Sequence, residues 1–348
     1  MKISTKNQAT CDEKRRSFLK LSGLLGLGAA TASLLSVAQA EAVLFGKKEY
    51  KVSRTGLAMG TYVSMTAIHS SRDEAENAIG LAFEEMDRLS RILSRYESSS
   101  PVSDLNSVGY LNSAPQEVLE LVARSIYYNR QTNGAFDVTV KPLVDLYKDS
   151  FKSGHSPAEA EVQAVLQGVG AEHLRFEGGN IRFERENMGI TLDGIAKGYI
   201  VDRASEILAG KGVANHLINA GGDIRTSGAA ANGKPWTVAI QDPAKQKEYP
   251  DLIRMTSGAI ATSGNYEIFY DREKMFHHIV NSRTGLSPEL SASVTVKAGT
   301  VMDADALSTS VFVMQPSAGV SFINGQPGCE CLVVGKDGLI SRSVGWKS

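Results

Sequence analysis

From residue 216 to residue 334 the chain reads as short strands broken by turns, at 216–219, 236–240, 252–256, 259–262, 277–280, 293–296 and 330–334. Runs this short, with turn residues between many of them, favour hairpin pairing over helical crossovers. The first half of the chain is patterned differently. Residues 72–93 set Ala75, Ile79, Ala82, Phe83, Met86, Leu89 and Leu93 on one helical face. A second helix is expected over 117–132, stopped by Asn133-Gly134, and a short one over 156–169. Further helices are expected over 199–211, 303–313 and 318–323. Gly178-Gly179-Asn180 joins two short strands at 174–176 and 181–183. Residues 52–69 form a strand broken at Met59-Gly60-Thr61, and 190–192 form another. The stretch 95–113 is rich in Ser, Asn and Gly and reads as a loop. Helices that do not alternate regularly with strands argue against a βαβ repeat. The expected class is α+β, one compact domain with mixed or antiparallel sheets and flanking helices, with no internal repeat.

Residues 1–40 stand apart from that domain. Lys14-Arg15-Arg16-Ser17-Phe18-Leu19-Lys20 is a twin-arginine pattern in a basic leader, followed by a small-residue apolar stretch and Ala38-Gln39-Ala40, an A-x-A cleavage site. The reading is a signal peptide over 1–40 and a periplasmic domain over 41–348, with the twin-arginine export machinery as a partner. The alternative is an uncleaved membrane anchor, but the apolar stretch is rich in Gly, Ala and Ser and is marginal for spanning a bilayer. Beyond it no apolar run is long enough to cross a membrane. The net charge of the whole chain is -1, and no basic stripe marks a nucleic-acid partner. Cys11 falls in the leader. Cys329 and Cys331 are one residue apart, where a disulfide would be strained, and no Cys or His cluster completes a zinc site, so both read as structural.

Several short motifs carry chemical potential, each weak by itself. Gly221-Gly222-Asp223 is a turn that lets backbone approach a ligand. It is not a dinucleotide fingerprint, and no Walker A sequence is present. Asp193-Gly194-Ile195-Ala196-Lys197-Gly198 precedes a helix, where backbone N–H groups can face phosphate and Lys197 adds a point charge. His277 and His278 are candidate bases, and on one strand they would face opposite ways, so at most one enters a site. Asp305 and Thr309 are four apart on one helix and share a face; with Asp303 nearby, such oxygens suit a hard cation.

The ordered ensemble is more specific than its parts. It comprises Met59-Gly60-Thr61, Arg95-Tyr96, Gly134-Ala135-Phe136-Asp137, Asp193-Gly194-Ile195-Ala196-Lys197-Gly198-Tyr199, Asn219-Ala220-Gly221-Gly222-Asp223, Ala261-Thr262-Ser263-Gly264, His278-Ile279 with Thr284-Gly285, and Asp303-Ala304-Asp305-Ala306-Leu307-Ser308-Thr309. In this the chain resembles the ApbE family of FAD:protein FMN transferases along nearly all of its mature length. The resemblance implies an α+β fold, FAD as substrate, Mg2+, and transfer of FMN to a Thr or Ser of an acceptor protein with release of AMP. It implies Asp305, Thr309 and the Ala196 carbonyl as metal ligands. Met59, Tyr96, Ala135, Phe136, Asp137, Lys197 and Ile279 would line the FAD pocket, and His278 would be the general base.

The chain departs from the family pattern in places. Many members read Asp-Leu-Gly-Gly-Ile-Ala-Lys-Gly, whereas here the run is Thr191-Leu192-Asp193-Gly194-Ile195-Ala196-Lys197-Gly198. On a strand a two-residue shift keeps the same face, so Asp193 is expected to reach the site. Asn281 and Asn265 stand where Asp is usual. The Asp193 variant resembles the branch associated with maturation of respiratory enzymes such as nitrous-oxide reductase. The implied acceptor is a flavoprotein bearing a short motif of Asp, Gly and Ser or Thr. Two other readings stand beside transfer: an FAD pyrophosphatase that gives FMN and AMP to water, and a non-catalytic periplasmic flavin carrier.

Overall fold

The computed structural model describes residues 41–45, 49–244, 249–265 and 277–347, all within one compact unit. The expected leader lies outside the described residues. The frame is a nine-stranded, wholly antiparallel sheet. Its strands are β1 (Glu41–Phe45), β2 (Glu49–Ala58), β3 (Thr61–His69), β7 (Asn215–Ala220), β8 (Asp223–Ser227), β11 (Gly258–Gly264), β12 (Ser291–Ala298), β13 (Glu330–Gly335) and β14 (Ile340–Arg342), in that spatial order. A three-stranded sheet is formed by β4 (Tyr110–Leu111), β5 (Leu174–Glu177) and β6 (Asn180–Phe183). The hairpin of β9 (Trp236–Ala239) and β10 (Leu252–Met255) stands by itself.

Alternation along the strands sorts the two faces of the large sheet. Val63, Met65 and Ala67, Ile218 and Ala220, Ala261, and Val294 and Val296 enter the main core. Ile224, Ile260, Leu332 and Val334 point the other way, into a smaller core closed by Val238 and Ile253 of the hairpin and by Trp346. Three helices cover the main face: α1 (Arg72–Leu93), α6 (Ala196–Gly210) and α7 (Val301–Val313). The apolar stripe read on residues 72–93 is the buried face of α1, and Ser71 caps it by accepting a hydrogen bond from the Glu74 N–H. Cys331 lies in the main core and Cys329 packs against it; both thiols are free, and burial raises the Cys331 pKa to about 11.

Helix α3 (Gln116–Gln131) matches the second expected helix, α5 (Glu159–Leu166) lies inside the short one, and α8 (Pro316–Asn324) covers the last. Four local expectations change. The presumed loop 95–113 contains α2 (Pro101–Val108), whose Ser100 N-cap, first-turn Pro101 and left-handed Gly109 are cap signals hidden in a polar composition. Helix α4 (Lys141–Lys152) was unexpected; its Leu143, Val144 and Tyr147 form a satellite core with Val162 and Val280. Residues 190–192 are not a strand. The Asn106 amide bonds both the N–H and the carbonyl of Ile190, at 2.7 and 2.9 Å, doing with one side chain what a neighbouring strand would do. Residues 277–280 make only an isolated bridge at His277; side chains satisfy this backbone, with His277 N–H donating to Ser287 Oγ and Ile279 N–H to His277 Nδ1.

Helix α6 begins at Ala196, three residues before the expected start, and its first turn rests on α7. A Cβ at Gly198 would stand 2.4 Å from the Val301 carbonyl oxygen, which is backbone and has no room to yield. A Gly→Ala change within a helix ordinarily stabilises by up to about 1 kcal/mol. Here overpacking reverses the sign, and Gly198→Ala is expected to cost about 2 kcal/mol in urea denaturation. An unchanged or higher midpoint would show that the two helices do not meet at this contact.

Candidate active site

Where the first turn of α6 and the Asp305–Thr309 face of α7 meet the ends of the sheet strands, a cleft of about 1180 Å³ opens. The β2–β3 hairpin forms one lip. Ala58 pairs with Thr61 across a two-residue turn, and both turn residues have positive φ, Met59 at 52° and Gly60 at 71°. Such a turn matches the twist of its strands and makes a left-handed non-glycine residue tolerable; it carries Met59 to the cleft wall.

The floor is built from α6 and α7. Asp305 is 5 % exposed, and its carboxylate accepts a hydrogen bond from the Gly198 N–H at 3.1 Å. Burial first, and the neighbouring Asp223 charge second, push its pKa well above the usual carboxylate range, while Lys197 and the Gly198 bond pull the other way. One turn on, Thr309 Oγ1 lies 3.2 Å from Ser263 Oγ, which also bonds Ser308 Oγ at 2.8 Å. A Cβ on Gly194 would come within 3.2 Å of Thr309 Oγ1, so the turn before α6 lies directly against that hydroxyl. Ala196 falls between Gly194 and Gly198 in sequence and also lines the cleft. The floor therefore offers a carboxylate and a hydroxyl, with Ala196 beside them at the start of α6. Among the described residues no group of three His, Cys, Asp or Glu side chains is placed to hold a metal. A cation here would rely on this sparse oxygen set, with water or substrate completing its shell, which suits Mg2+.

The outer rim is a charged bracket. The Arg95 side chain is only 5 % exposed and donates to Asp145 at 2.7 Å, to Asp193 at 3.1 Å and to Tyr96 Oη at 2.7 Å. Lys141 holds the other oxygen of Asp145 at 2.6 Å. Burial opposes the Arg95 charge, but Asp193 and Asp145 outweigh it and its pKa rises. The Asp193 carboxylate is half exposed, so its pair with Arg95 contributes at most about 1 kcal/mol and serves geometry more than stability. What the bracket fixes is Tyr96, whose ring lies 4.5 Å from the Arg95 guanidinium carbon and 5.7 Å from Lys148 Nζ, with 65 % of the residue exposed. Asp193 thus lines the cleft, but the strand argument that equated it with position 191 fails. It sits in a turn where its own N–H bonds Thr191 Oγ1 at 3.2 Å, and its carboxylate turns to Arg95 and Tyr96.

A third wall comes from the turn after α3. Asn133 and Gly134 both have positive φ, and Ser282 Oγ donates to the Gly134 carbonyl at 2.7 Å, tying this turn to the segment after His278. Phe136 is buried. The Asp137 carboxylate accepts from Thr139 N–H and Oγ, from Asn129 and from Ala171 N–H, so it braces the wall from within. Burial raises its pKa and these bonds oppose the rise. The tandem histidines divide as expected, though not on a strand. His277 is fully buried, its Nδ1 accepts from Ile279 N–H, its Nε2 reaches the Pro288 carbonyl at 3.0 Å, and its ring meets Phe312 edge-on. His278 lines the cleft, followed by Ile279.

Twelve of the residues singled out from the sequence border this one cleft: Met59, Tyr96, Ala135, Phe136, Asp137, Asp193, Ala196, Lys197, His278, Ile279, Asp305 and Thr309. Asp303 does not; its carboxylate accepts from Arg124 and from Tyr128 Oη instead. Arg95, Lys148 and Ser263 also line it, and Asp145 supports it. Arg95 and Ser263 lie within quoted motifs and were legible there. Asp145 and Lys148 belong to the unexpected helix α4, and nothing in the pattern marked them.

The ApbE family profile matches residues 59–333. The FAD:protein FMN transferase of Vibrio cholerae is 31 % identical over 306 residues, covering 84 % of this chain and 88 % of that one. The crystal structure of the ApbE protein of Thermotoga maritima superposes with a TM-score of 0.78 at 29 % identity, covering 84 % of this chain and 97 % of that one. The flavin transferase ApbE structure from Vibrio cholerae gives a TM-score of 0.71 at 28 % identity, covering 87 % and 96 %. With the cleft residues in place and the profile spanning most of its length, the chain belongs to the ApbE family.

Proposed function

We propose that this chain transfers the FMN part of FAD to a Thr or Ser hydroxyl of an acceptor protein, with Mg2+ required and AMP released. The observation that carries this reading is convergence: positions scattered from Met59 to Thr309 meet on a cleft large enough for a dinucleotide. The names of the Vibrio cholerae relatives support it.

In the proposed step the acceptor oxygen attacks the flavin-side phosphorus, and the anhydride bond to AMP breaks. AMP leaves with the bonding electron pair, and the hydroxyl proton passes to His278. Asp305, Thr309 and the Ala196 carbonyl would hold Mg2+. The fit rests on Asp305, because a carboxylate this buried is costly as an anion and a cation offsets that cost. When bound, Mg2+ neutralises charge on the diphosphate. Lys197 adds a positive charge from the first turn of α6. Met59, Phe136 and Ile279 exclude water, and the braced Tyr96 ring presents a face to flavin or adenine.

The acceptor class is a periplasmic flavoprotein with a short Asp-, Gly- and Ser/Thr-containing motif, reached after twin-arginine export. Lys14-Arg15-Arg16 and Ala38-Gln39-Ala40 support the location. The Asp193 variant points to an accessory protein of a respiratory enzyme such as nitrous-oxide reductase.

The deciding assay is mass spectrometry of a motif-bearing acceptor domain incubated with mature enzyme, FAD and Mg2+. A mass gain of one FMN on Thr or Ser is expected. It should fall about 10²- to 10⁴-fold in rate for His278→Ala and by at least about 10²-fold for Asp305→Ala. Free FMN and AMP without adduct would replace transfer by hydrolysis, and intact bound FAD with several acceptors would leave a carrier.

A second expectation concerns stability. Without metal, Asp305→Asn removes a disfavoured buried charge and should raise the melting temperature by roughly 2 °C or more. The parent should gain stability on addition of Mg2+ and the variant should not. Scanning calorimetry with EDTA and then with Mg2+ checks both; equal metal responses would remove Asp305 from the ligand set.

A further inference from the structure

Asp223 does not line the cleft, and the reaction as described gives it no part. It is nevertheless 1 % exposed, and its Oδ2 stands 3.3 Å from Lys197 Nζ. Both partners are fixed at their backbones. Ala220 pairs with Asp223 across the tight Gly221-Gly222 turn, whose residues have φ of 63° and 102°. That turn is pinned because Gly222 N–H donates to Asn219 Oδ1 at 3.0 Å and a Cβ on Gly221 would strike Thr61 Oγ1 at 2.7 Å. Lys197 is held by its neighbour Gly198, which is jammed against Val301. The Lys197 side chain is 28 % exposed and lines the cleft, so the ion pair runs from the buried end of β8 to the site.

A lysine on a four-carbon stem is a poor electrostatic device unless something holds it, since its ammonium samples many positions. Beside a buried carboxylate such as Asp305 it would tend to fold onto that group and neutralise it. Asp223 supplies a competing anion 3.3 Å from the ammonium, and a carboxylate buried this deeply has strong reason to keep its cation.

We propose that Asp223 is a positioning residue: it acts through Lys197, anchoring the ammonium at the cleft floor so that it meets the substrate diphosphate while Asp305 stays available to the cation. This rests on the FMN-transfer reading for the identity of the substrate, but not for the coupling between the two residues.

The test is a double-mutant cycle of parent, Asp223→Asn, Lys197→Gln and the double variant. FAD affinity is read by flavin fluorescence, and kcat and KM are read with FAD, Mg2+ and a synthetic peptide containing Asp, Gly and Thr. Asp223→Asn should lower kcat/KM about tenfold and Lys197→Gln more, and the double variant should match Lys197→Gln alone. The affinity cycle should show the same non-additivity, which a merely structural role would not produce. Factors that multiply in the double variant, or an Asp223→Asn protein equal to the parent, would overturn the proposal. If Asp223→Asn does not fold, the double variant, with both charges gone, should fold; failure of both would also overturn it. If the parent transfers no FMN while the affinity cycle still closes on Lys197, the transfer reading fails and the positioning role stands.

Discussion

The first turn of α6 lies on α7 so closely that only glycine fits at position 198, and the candidate site is assembled on that contact. It brings the Gly198 N–H to the Asp305 carboxylate and the turn at Gly194 to the Thr309 hydroxyl. The helices are in turn pressed on the sheet by a core that continues through α1, β3, β7, β11 and β12. A carboxylate that is expensive to bury is therefore held in place by packing whose apolar area far exceeds its own. Removing water from around Asp305 costs stability in the metal-free protein and strengthens every charge interaction there.

The fold was legible where periodicity was strong and long. The stripe of α1, the helix α7 and six of the seven strands read between 216 and 334 appear where the pattern placed them, while β8 and β14 carried too little pattern to be read. It was illegible where a side chain took the part of a backbone partner. Residues 190–192 are apolar enough to read as a strand, yet the Asn106 amide satisfies Ile190 in both directions. Residues 277–280 failed for the same reason, with His277 and Ser287 replacing a ladder. Helix α2 was hidden by its Ser- and Asn-rich composition, although Ser100, Pro101 and Gly109 spelled its ends.

The site was legible as an ordered set and not as individual roles. No spacing rule joins Met59 to Thr309; only the sheet brings them to one cleft. Tertiary pairing also redistributes work among neighbours in sequence. Of two adjacent histidines one is locked in the core by Pro288 and Phe312 and the other borders the cleft. Asp137 borders the cleft too, but four protein donors claim its carboxylate, so its part is to hold the wall on which Phe136 and Ala135 sit.

At two positions where the family resemblance leads to an expected acid, a neutral oxygen meets the local need. Asn281 Oδ1 accepts from the N–H groups of Arg283 and Thr284, closing a turn that needs an oxygen acceptor and not a charge. Thr191 Oγ1 accepts the Asp193 N–H and performs the same local task. The geometry survives, and what changes is the electrostatic balance. With those charges absent, Asp305 and Asp223 are the buried carboxylates that flank Lys197, and Asp193 balances Arg95 at the half-exposed rim. Charge is thereby divided into an outer bracket that orients an aromatic ring and an inner group in which Lys197 pairs with Asp223 beside Asp305. Dividing it so keeps the inner carboxylates from being neutralised by Arg95, whose guanidinium is already claimed by Asp145 and Asp193.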